Sequence, residues 1–170
     1  MSLPTNTTFA EEIKTDRLKL LNYFSIVISA ILFIVLTTFG TIADMNPADS
    51  FVMLIAVGIV AVGSLLSNYL LTRQPFPIAA WLFILSPMLA MGVLMMQLGE
   101  QSISVLPFVF PLIVFIGGLL VSPISTIYLT LFSIAVIVGA PYLGAGVFGI
   151  SGTQFFAMLL TVLAAALAAL

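Results

Sequence analysis

Six long apolar runs alternate with short polar segments along the chain, at residues 20–42, 51–71, 78–98, 105–121, 126–140 and 153–170. The fifth is rather short unless residues 122–142 are counted whole. Most of these runs approach the roughly 20 residues that a helix needs to cross the hydrocarbon layer of a membrane. None has a Lys, Arg, Asp or Glu near its middle, where a charge would be costly. The pattern predicts an all-α, polytopic membrane protein in which residues 20–170 form a bundle of six transmembrane helices.

Residues 1–19 form the longest polar segment and predict a cytoplasmic N-terminal tail. Thr8 and Glu11 have the spacing of a capping box, so a helix is expected to begin at Thr8. Phe9, Ile13 and Leu20 then recur at roughly helical spacing. This favours a short interfacial helix that lies along the headgroups before the first span. The alternative is a frayed tail.

Prolines interrupt several of the predicted spans. Pro87 follows Ser86 inside the third span, and the Ser86 hydroxyl is expected to bond a carbonyl that the proline leaves without a donor. The others are Pro107 and Pro111 in the fourth span, and Pro123 and Pro141 on either side of the fifth. We expect structural bends at these positions, with a gating hinge as the alternative.

The basic residues fall on one side of the alternating spans. They are Lys14, Arg17, Lys19 and Arg73. The opposite loops contain Asp44, Asp49 and Glu100 but no Lys or Arg. Because positive residues concentrate in cytoplasmic segments, both termini are predicted to face the cytoplasm of a bacterial cell, with the chain in the inner membrane.

The overall composition excludes several classes of function. Of the 170 residues, 62% are hydrophobic and 6% are charged, whereas a soluble domain has about 25% charged residues. With a net charge of −2, no basic patch points to nucleic acid. The chain has no His and no Cys, so the common ligands for haem, zinc and copper are missing, and no nucleophile lies beside a base. We predict no enzyme activity, no metal site and no cofactor of its own.

Small residues at regular spacing predict where helices approach closely. They are Gly63 and Ser67 in the second span, Gly117 and Gly118 in the fourth, and Ala157, Thr161, Ala165 and Ala169 at four-residue steps in the sixth. Small side chains allow helix backbones in membranes to come into contact. The stripe on the sixth span is predicted to face another span of this chain or, alternatively, a separate protein.

Two further motifs have an ordinary interpretation beside a functional one. Residues 144–149 spell G-x-G-x-x-G, but they lie between apolar spans and not between a strand and a helix, so no nucleotide is expected. A second group in the third span could form a groove for a lipid or quinone tail, or simply fill the core. It comprises Trp81, Phe83, Met88, Met91, Met95 and Met96. Quinone chemistry would need a proton donor, and Gln97, Glu100 and Tyr128 are scattered.

A short charged N-terminal segment, uncharged spans such as residues 106–111 and 125–131, and an alanine- and leucine-rich last helix follow one another in this chain. This order resembles the six-helix membrane N-terminal region of bacterial sensor histidine kinases. The resemblance implies an input or anchoring module. The chain lacks the catalytic kinase portion, and no motif residue carries over. Because residues 168–170 are apolar with no polar stop, the natural polypeptide is expected to continue.

Three functions are compatible with this pattern. The first is a non-catalytic integral subunit that packs against other membrane subunits and lipid in a larger complex, such as a respiratory or photosynthetic electron-transfer assembly. The second is the membrane input module of a signalling protein. The third is a facilitator for small neutral molecules, which would need a polar path that the sequence does not trace. We favour the subunit, because the predicted interior offers little polar recognition.

Overall fold

The computed structural model describes residues 6–39, 46–73, 75–97, 109–143 and 152–169. In these ranges the chain forms six helices. They are α1 (Asn6–Phe39), α2 (Pro47–Leu70), α3 (Phe76–Gln97), α4 (Val109–Leu120), α5 (Pro123–Leu143) and α6 (Gly152–Ala169). The all-α prediction is confirmed, and each helix overlaps one of the six apolar runs.

The helices differ in whether they are long enough to cross a membrane. Three segments are both long and apolar enough, and they are Glu11–Thr38, Pro47–Leu70 and Phe76–Met96. Two further helical segments, Val109–Leu120 and Ile124–Gly139, are apolar but shorter. The structure therefore indicates a multi-pass membrane protein with at least three candidate spans in its described part.

The predicted separate interfacial helix is wrong, because α1 runs without a break for 34 residues. It begins at Asn6, so Thr8 lies inside the helix and not at its start. The chain has no Gly or Pro between Pro4 and Gly40, so nothing interrupts the backbone hydrogen bonds. The polar turns are also stabilised locally, since the Thr15 hydroxyl donates to the Glu11 carbonyl over 2.9 Å.

Local sequence determines where α2 and α5 begin. Asn46 caps α2, accepting a hydrogen bond from the Ala48 amide, and Pro47 occupies the first position, where no N–H is needed. Ser122 and Ser125 form a reciprocal cap at α5, in which each hydroxyl accepts from the other residue's amide, at 3.2 and 3.3 Å. Because of these caps, α2 begins at Pro47, before the predicted limit of 51, and α5 begins at Pro123, close to the longer predicted limit of 122.

Proline positions give one confirmed prediction and one correction. The Ser86 hydroxyl donates to the Phe83 carbonyl over 3.1 Å, which is the carbonyl that Pro87 leaves without its usual donor. The prediction for Ser86 is therefore confirmed. Pro141 lies inside α5, which continues to Leu143, so the longer limits of the fifth span, 122–142, are correct and the limits 126–140 are too short. Pro107 lies outside the described residues.

The helices pack as a row joined to a cluster. α1 packs on α2, α2 on α3, and α3 also contacts α4 and α5, while α4, α5 and α6 pack on one another. The main apolar core lies among α3–α6, where Met88, Phe110 and Val162 are fully buried. A smaller core joins α1, α3 and α4 through Leu18, Ala79, Ala80 and Leu120. We call α3–α6 the core cluster.

Candidate functional site

A row of polar side chains joins α1 to α2 inside an otherwise apolar contact. The Asn22 side-chain amide donates to the Ser67 hydroxyl over 3.0 Å, and the Ser64 hydroxyl donates to that of Ser25 over 2.9 Å. From the first pair to the second, the residue number rises by three on α1 and falls by three on α2. The two helices are therefore antiparallel. We call these four residues the polar seam. Neutral hydrogen bonds of this kind hold helices together where no water competes.

The polar seam also reaches α3. Ser67 is fully buried, and its hydroxyl donates to the Ala79 carbonyl over 2.8 Å while accepting from Asn22. One hydroxyl thus connects three helices. Asn22 is fully buried as well, yet its side-chain oxygen has no hydrogen-bond partner among the described residues.

Two glycines lie at close helix contacts. A Cβ added to Gly63 would lie 2.2 Å from the Ser86 Cβ, so α2 and α3 are in contact there through Gly63 and the serine beside Pro87. A Cβ on Gly117 would lie 2.2 Å from the Leu129 Cδ1. Gly118 is also buried in α4. Gly63 and Ser67 lie one turn apart on α2, and both contact α3, since Ser67 bonds the Ala79 carbonyl.

The small-residue stripe of the sixth span lies differently. Ala157 is exposed, and Thr161 and Ala165 are half-buried. The side chain of Ala169 lies outside the described residues. Among the described side chains of α6, Val162 and Ala166 are buried in the main core, each one residue further along the helix than a stripe position.

A cleft of about 710 Å³ opens between α1, α2 and α3 on the side of the polar seam, with one residue of α4 at its base. We call it the α1–α3 cleft. Its lining is Leu21, Phe24, Ser25, Ile28, Ser29, Leu32, Val35, Leu36, Met53, Ala56, Val57, Val60, Phe83, Ala90, Met91, Leu94 and Ile116. None of these side chains is charged, so the cleft suits an uncharged, largely hydrocarbon ligand.

Two serine hydroxyls, one helical turn apart on α1, are the only polar side chains in that lining. Ser29 is 4% exposed, and its hydroxyl makes no hydrogen bond within the described part of the chain. Ser25 bonds Ser64, and this bond uses one of their two hydroxyl protons. The hydroxyls of Ser25 and Ser29 are therefore hydrogen-bond donors in an otherwise apolar wall of the cleft.

The groove expected from the third span is only partly present. Met91 and Phe83 line the cleft, but Met88 and Met95 are fully buried in the main core, and Trp81 and Met96 pack against it. Six residues of one helix cannot face one groove, because the helix distributes them around its axis. Tyr128 is exposed on α5. Glu100 and the Gln97 side chain lie outside the described residues.

The described charged residues lie between Glu11 and Lys19 of α1 or at the two ends of α2. Lys14, Arg17 and Lys19 are in the N-terminal half of α1, and the antiparallel packing places Arg73 at the same end of the bundle. The Arg73 guanidinium lies over the Tyr69 ring, 4.9 Å from its centroid. Buried polar groups in the described ranges are Asn, Ser and Thr only. Within those ranges no three acidic, Cys or His residues could hold a metal ion together.

Sequence reasoning missed Asn22, Ser25, Ser29 and Ser64. The pattern that could have revealed them is their spacing, since three polar residues of α1 recur at i, i+3 and i+7, and two on α2 at i and i+3. Each set marks one face of a helix within an apolar run. In comparisons with known proteins, no family model, curated protein or solved structure matches this chain.

Proposed function

We propose that this chain is a non-catalytic, multi-pass subunit that packs against other integral membrane proteins, with six spans and both termini in the cytoplasm of a bacterial cell. The observation that supports the proposal best is the lack of buried charged side chains in the described part of the bundle. Every buried polar side chain in the described ranges is neutral, and the described charges lie between Glu11 and Lys19 of α1 or at the ends of α2. Such a bundle has a structural role, and cofactors or proton paths belong to its neighbours, as in an electron-transfer assembly.

The exposed apolar surface of α1 is the surface on which we propose that another membrane subunit packs. Large side chains are exposed around much of this helix, including Val27, Ile31 and Ile34, because α1 packs mainly on α2. An exposed apolar helix face can contact either lipid or another protein in a membrane. We place the principal subunit contact on α1.

The test is purification of the tagged chain from native membranes in a mild detergent, followed by native gel electrophoresis and mass spectrometry. We expect a fixed set of membrane proteins to migrate with the chain. The substitution I31W, on the exposed face of α1, should deplete that set. L131W on exposed α5 is the matched control and should leave it intact. A quantitatively monomeric chain would contradict the proposal.

The cytoplasmic position of both ends has a separate test, made simple by the absence of Cys. Single-cysteine variants T72C and D49C place a thiol at opposite ends of α2. A membrane-impermeant maleimide added to inverted vesicles should label T72C, whereas in intact spheroplasts it should label D49C. The opposite result would reverse the orientation.

A further inference from the structure

The α1–α3 cleft has the length of an elongated molecule. Its lining on α1 extends from Leu21 to Leu36, which is about 22 Å along a helix axis. One leaflet of the hydrocarbon layer is about 15 Å deep. A molecule that occupies the whole length of the cleft is therefore longer than the depth of one leaflet.

The volume of the cleft limits the size of its occupant. At about 710 Å³ it lies within the range of roughly 300 to 1,000 Å³ that is typical of small-molecule sites. An elongated, uncharged small molecule fits such a volume.

The depth of the hydroxyls determines which lipid class fits. Lys19 is the last charged residue before the apolar part of α1, so Leu20 is close to the edge of the hydrocarbon layer. Ser25 and Ser29 lie about 8 and 14 Å further along the helix, and the second is close to the membrane midplane. The ester groups of a phospholipid stay at the headgroup boundary and do not reach this depth.

We propose that the α1–α3 cleft binds a polyprenyl quinone, with a ring carbonyl accepting a hydrogen bond from the Ser29 hydroxyl and the prenyl chain lying along α1. A quinone is uncharged, which matches a lining without charged side chains, and its ring can enter the hydrocarbon layer. The proposal concerns binding alone and includes no redox step. It requires α1–α3 to lie in a membrane but does not depend on membership of a complex.

Because lipid tails and the cleft are equally apolar, selective binding depends on packing and on the hydrogen bond. Ser29 therefore distinguishes a quinone from an ordinary acyl chain, which has no acceptor at this depth. Val60 lines the cleft from α2, whereas Val62 on the same helix is exposed on another face. These two valines provide a matched pair for steric blocking.

The experiment uses the purified full chain in phosphatidylcholine vesicles with a prenylated benzoquinone that bears a photoreactive azide. Crosslinks are mapped by mass spectrometry. We expect saturable labelling of α1 and α2 peptides that excess unlabelled quinone removes. V60F should reduce this labelling roughly tenfold by filling the cleft. V62F should leave it unchanged.

S29A tests the hydrogen bond without changing the shape of the cleft, and so it remains informative if V60F disturbs folding. Labelling should fall about threefold, the size of one hydrogen bond inside a membrane. S133A is the matched control, because Ser133 is buried in α5 and bonds the Leu129 carbonyl. S29A labelling equal to that of S133A would overturn the proposal.

The other occupant is an ordinary phospholipid. A phosphatidylcholine with a diazirine on its acyl chain is the second probe in the same vesicles. Equal labelling of the cleft by both probes, with no competition by unlabelled quinone, would overturn the proposal. Because the vesicles contain no other protein, this result would leave the proposed subunit role untouched. A chain that binds quinone yet purifies without partners would contradict only the subunit role.

Discussion

The contact between α1 and α2 and the core cluster α3–α6 use different means to hold helices together. α1 contacts α2 through the polar seam. In the most apolar 18-residue stretch of α1, only 11% of the residues are buried. In α3 the corresponding share is 44%, and most of its buried partners are apolar. Lipid tails are as apolar as Leu, so burial alone does not favour one helix contact over another. The peripheral helix relies on hydrogen bonds, and the central helices rely on close packing.

The contact between Gly63 and Ser86 lies where the two regions join, and G63A should have the largest effect. The new Cβ would lie 2.2 Å from the Ser86 Cβ, an atom fixed to the backbone, so α2 and α3 must separate. We expect a loss of about 3 kcal/mol in the free energy of unfolding. Denaturation in mixed micelles, followed by circular dichroism, measures it.

Two alanine substitutions are controls for G63A. Gly58 has nothing within 4 Å of an added Cβ, so G58A should be neutral or stabilising. At Gly117 the obstructing atom is the end of the flexible Leu129 side chain, and G117A should cost about 1 kcal/mol. Equal losses for G63A and G58A would mean that α2 and α3 do not approach as closely as the structure shows.

Packing in the core cluster is tested by F110A, since Phe110 is fully buried in the main core. In a membrane the hydrophobic transfer contribution largely disappears, but the cavity remains. For a cavity of roughly 100 Å³ the expected loss is about 2 kcal/mol. The matched variant F115A removes the same ring from the same helix at a partly exposed position and should cost much less. The same denaturation assay compares them.

The polar seam is tested by S67A, which removes hydrogen bonds to both Asn22 and Ala79. We expect a loss of about 1 to 2 kcal/mol, because each such bond contributes about 0.6 kcal/mol on average and up to 1.7. S64A removes one bond and should cost about 0.6 kcal/mol. A double-mutant cycle of N22A and S67A should show positive coupling. Additive losses would mean that Asn22 and Ser67 do not stabilise each other.

The smallest expected effect is local to α5. S122A removes the hydroxyl that accepts from the Ser125 amide and should cost about 1 kcal/mol or less. S50A is the control, because the Ser50 hydroxyl is buried without a partner among the residues that the structure describes, and its removal should cost nothing. If both variants are equally destabilised, the cap does not explain where α5 begins.

Features that depend on local sequence could be predicted. The expected second and third spans, 51–71 and 78–98, lie within four residues of α2 and α3 at each end, because Asn46, Pro47 and the turn before Phe76 set their limits nearby. The bond from Ser86 to Phe83 was also predictable, since it follows from the missing N–H of Pro87.

Features that depend on the separation of helices could not be predicted in the same way. The α1–α3 cleft exists because α1 packs mainly on α2, and no single residue specifies that geometry. The polarity of residues 6–19 suggested a separate helix. Continuity depends instead on the backbone, which has no Gly or Pro there to interrupt it. Asn22 was overlooked because one polar residue barely changes the hydropathy of a long run.

The unbroken length of α1 has a mechanical consequence. Thirty-four residues extend about 51 Å, which exceeds the 40 to 45 Å of a bilayer with its headgroups. If a helix of this length tilts by about 10°, one end is displaced sideways by about 9 Å relative to the other. The cleft lies against residues 21–36, in the C-terminal half of α1. A small change in the angle between α1 and α2 at the cleft therefore produces a larger displacement of the charged N-terminal part of the helix.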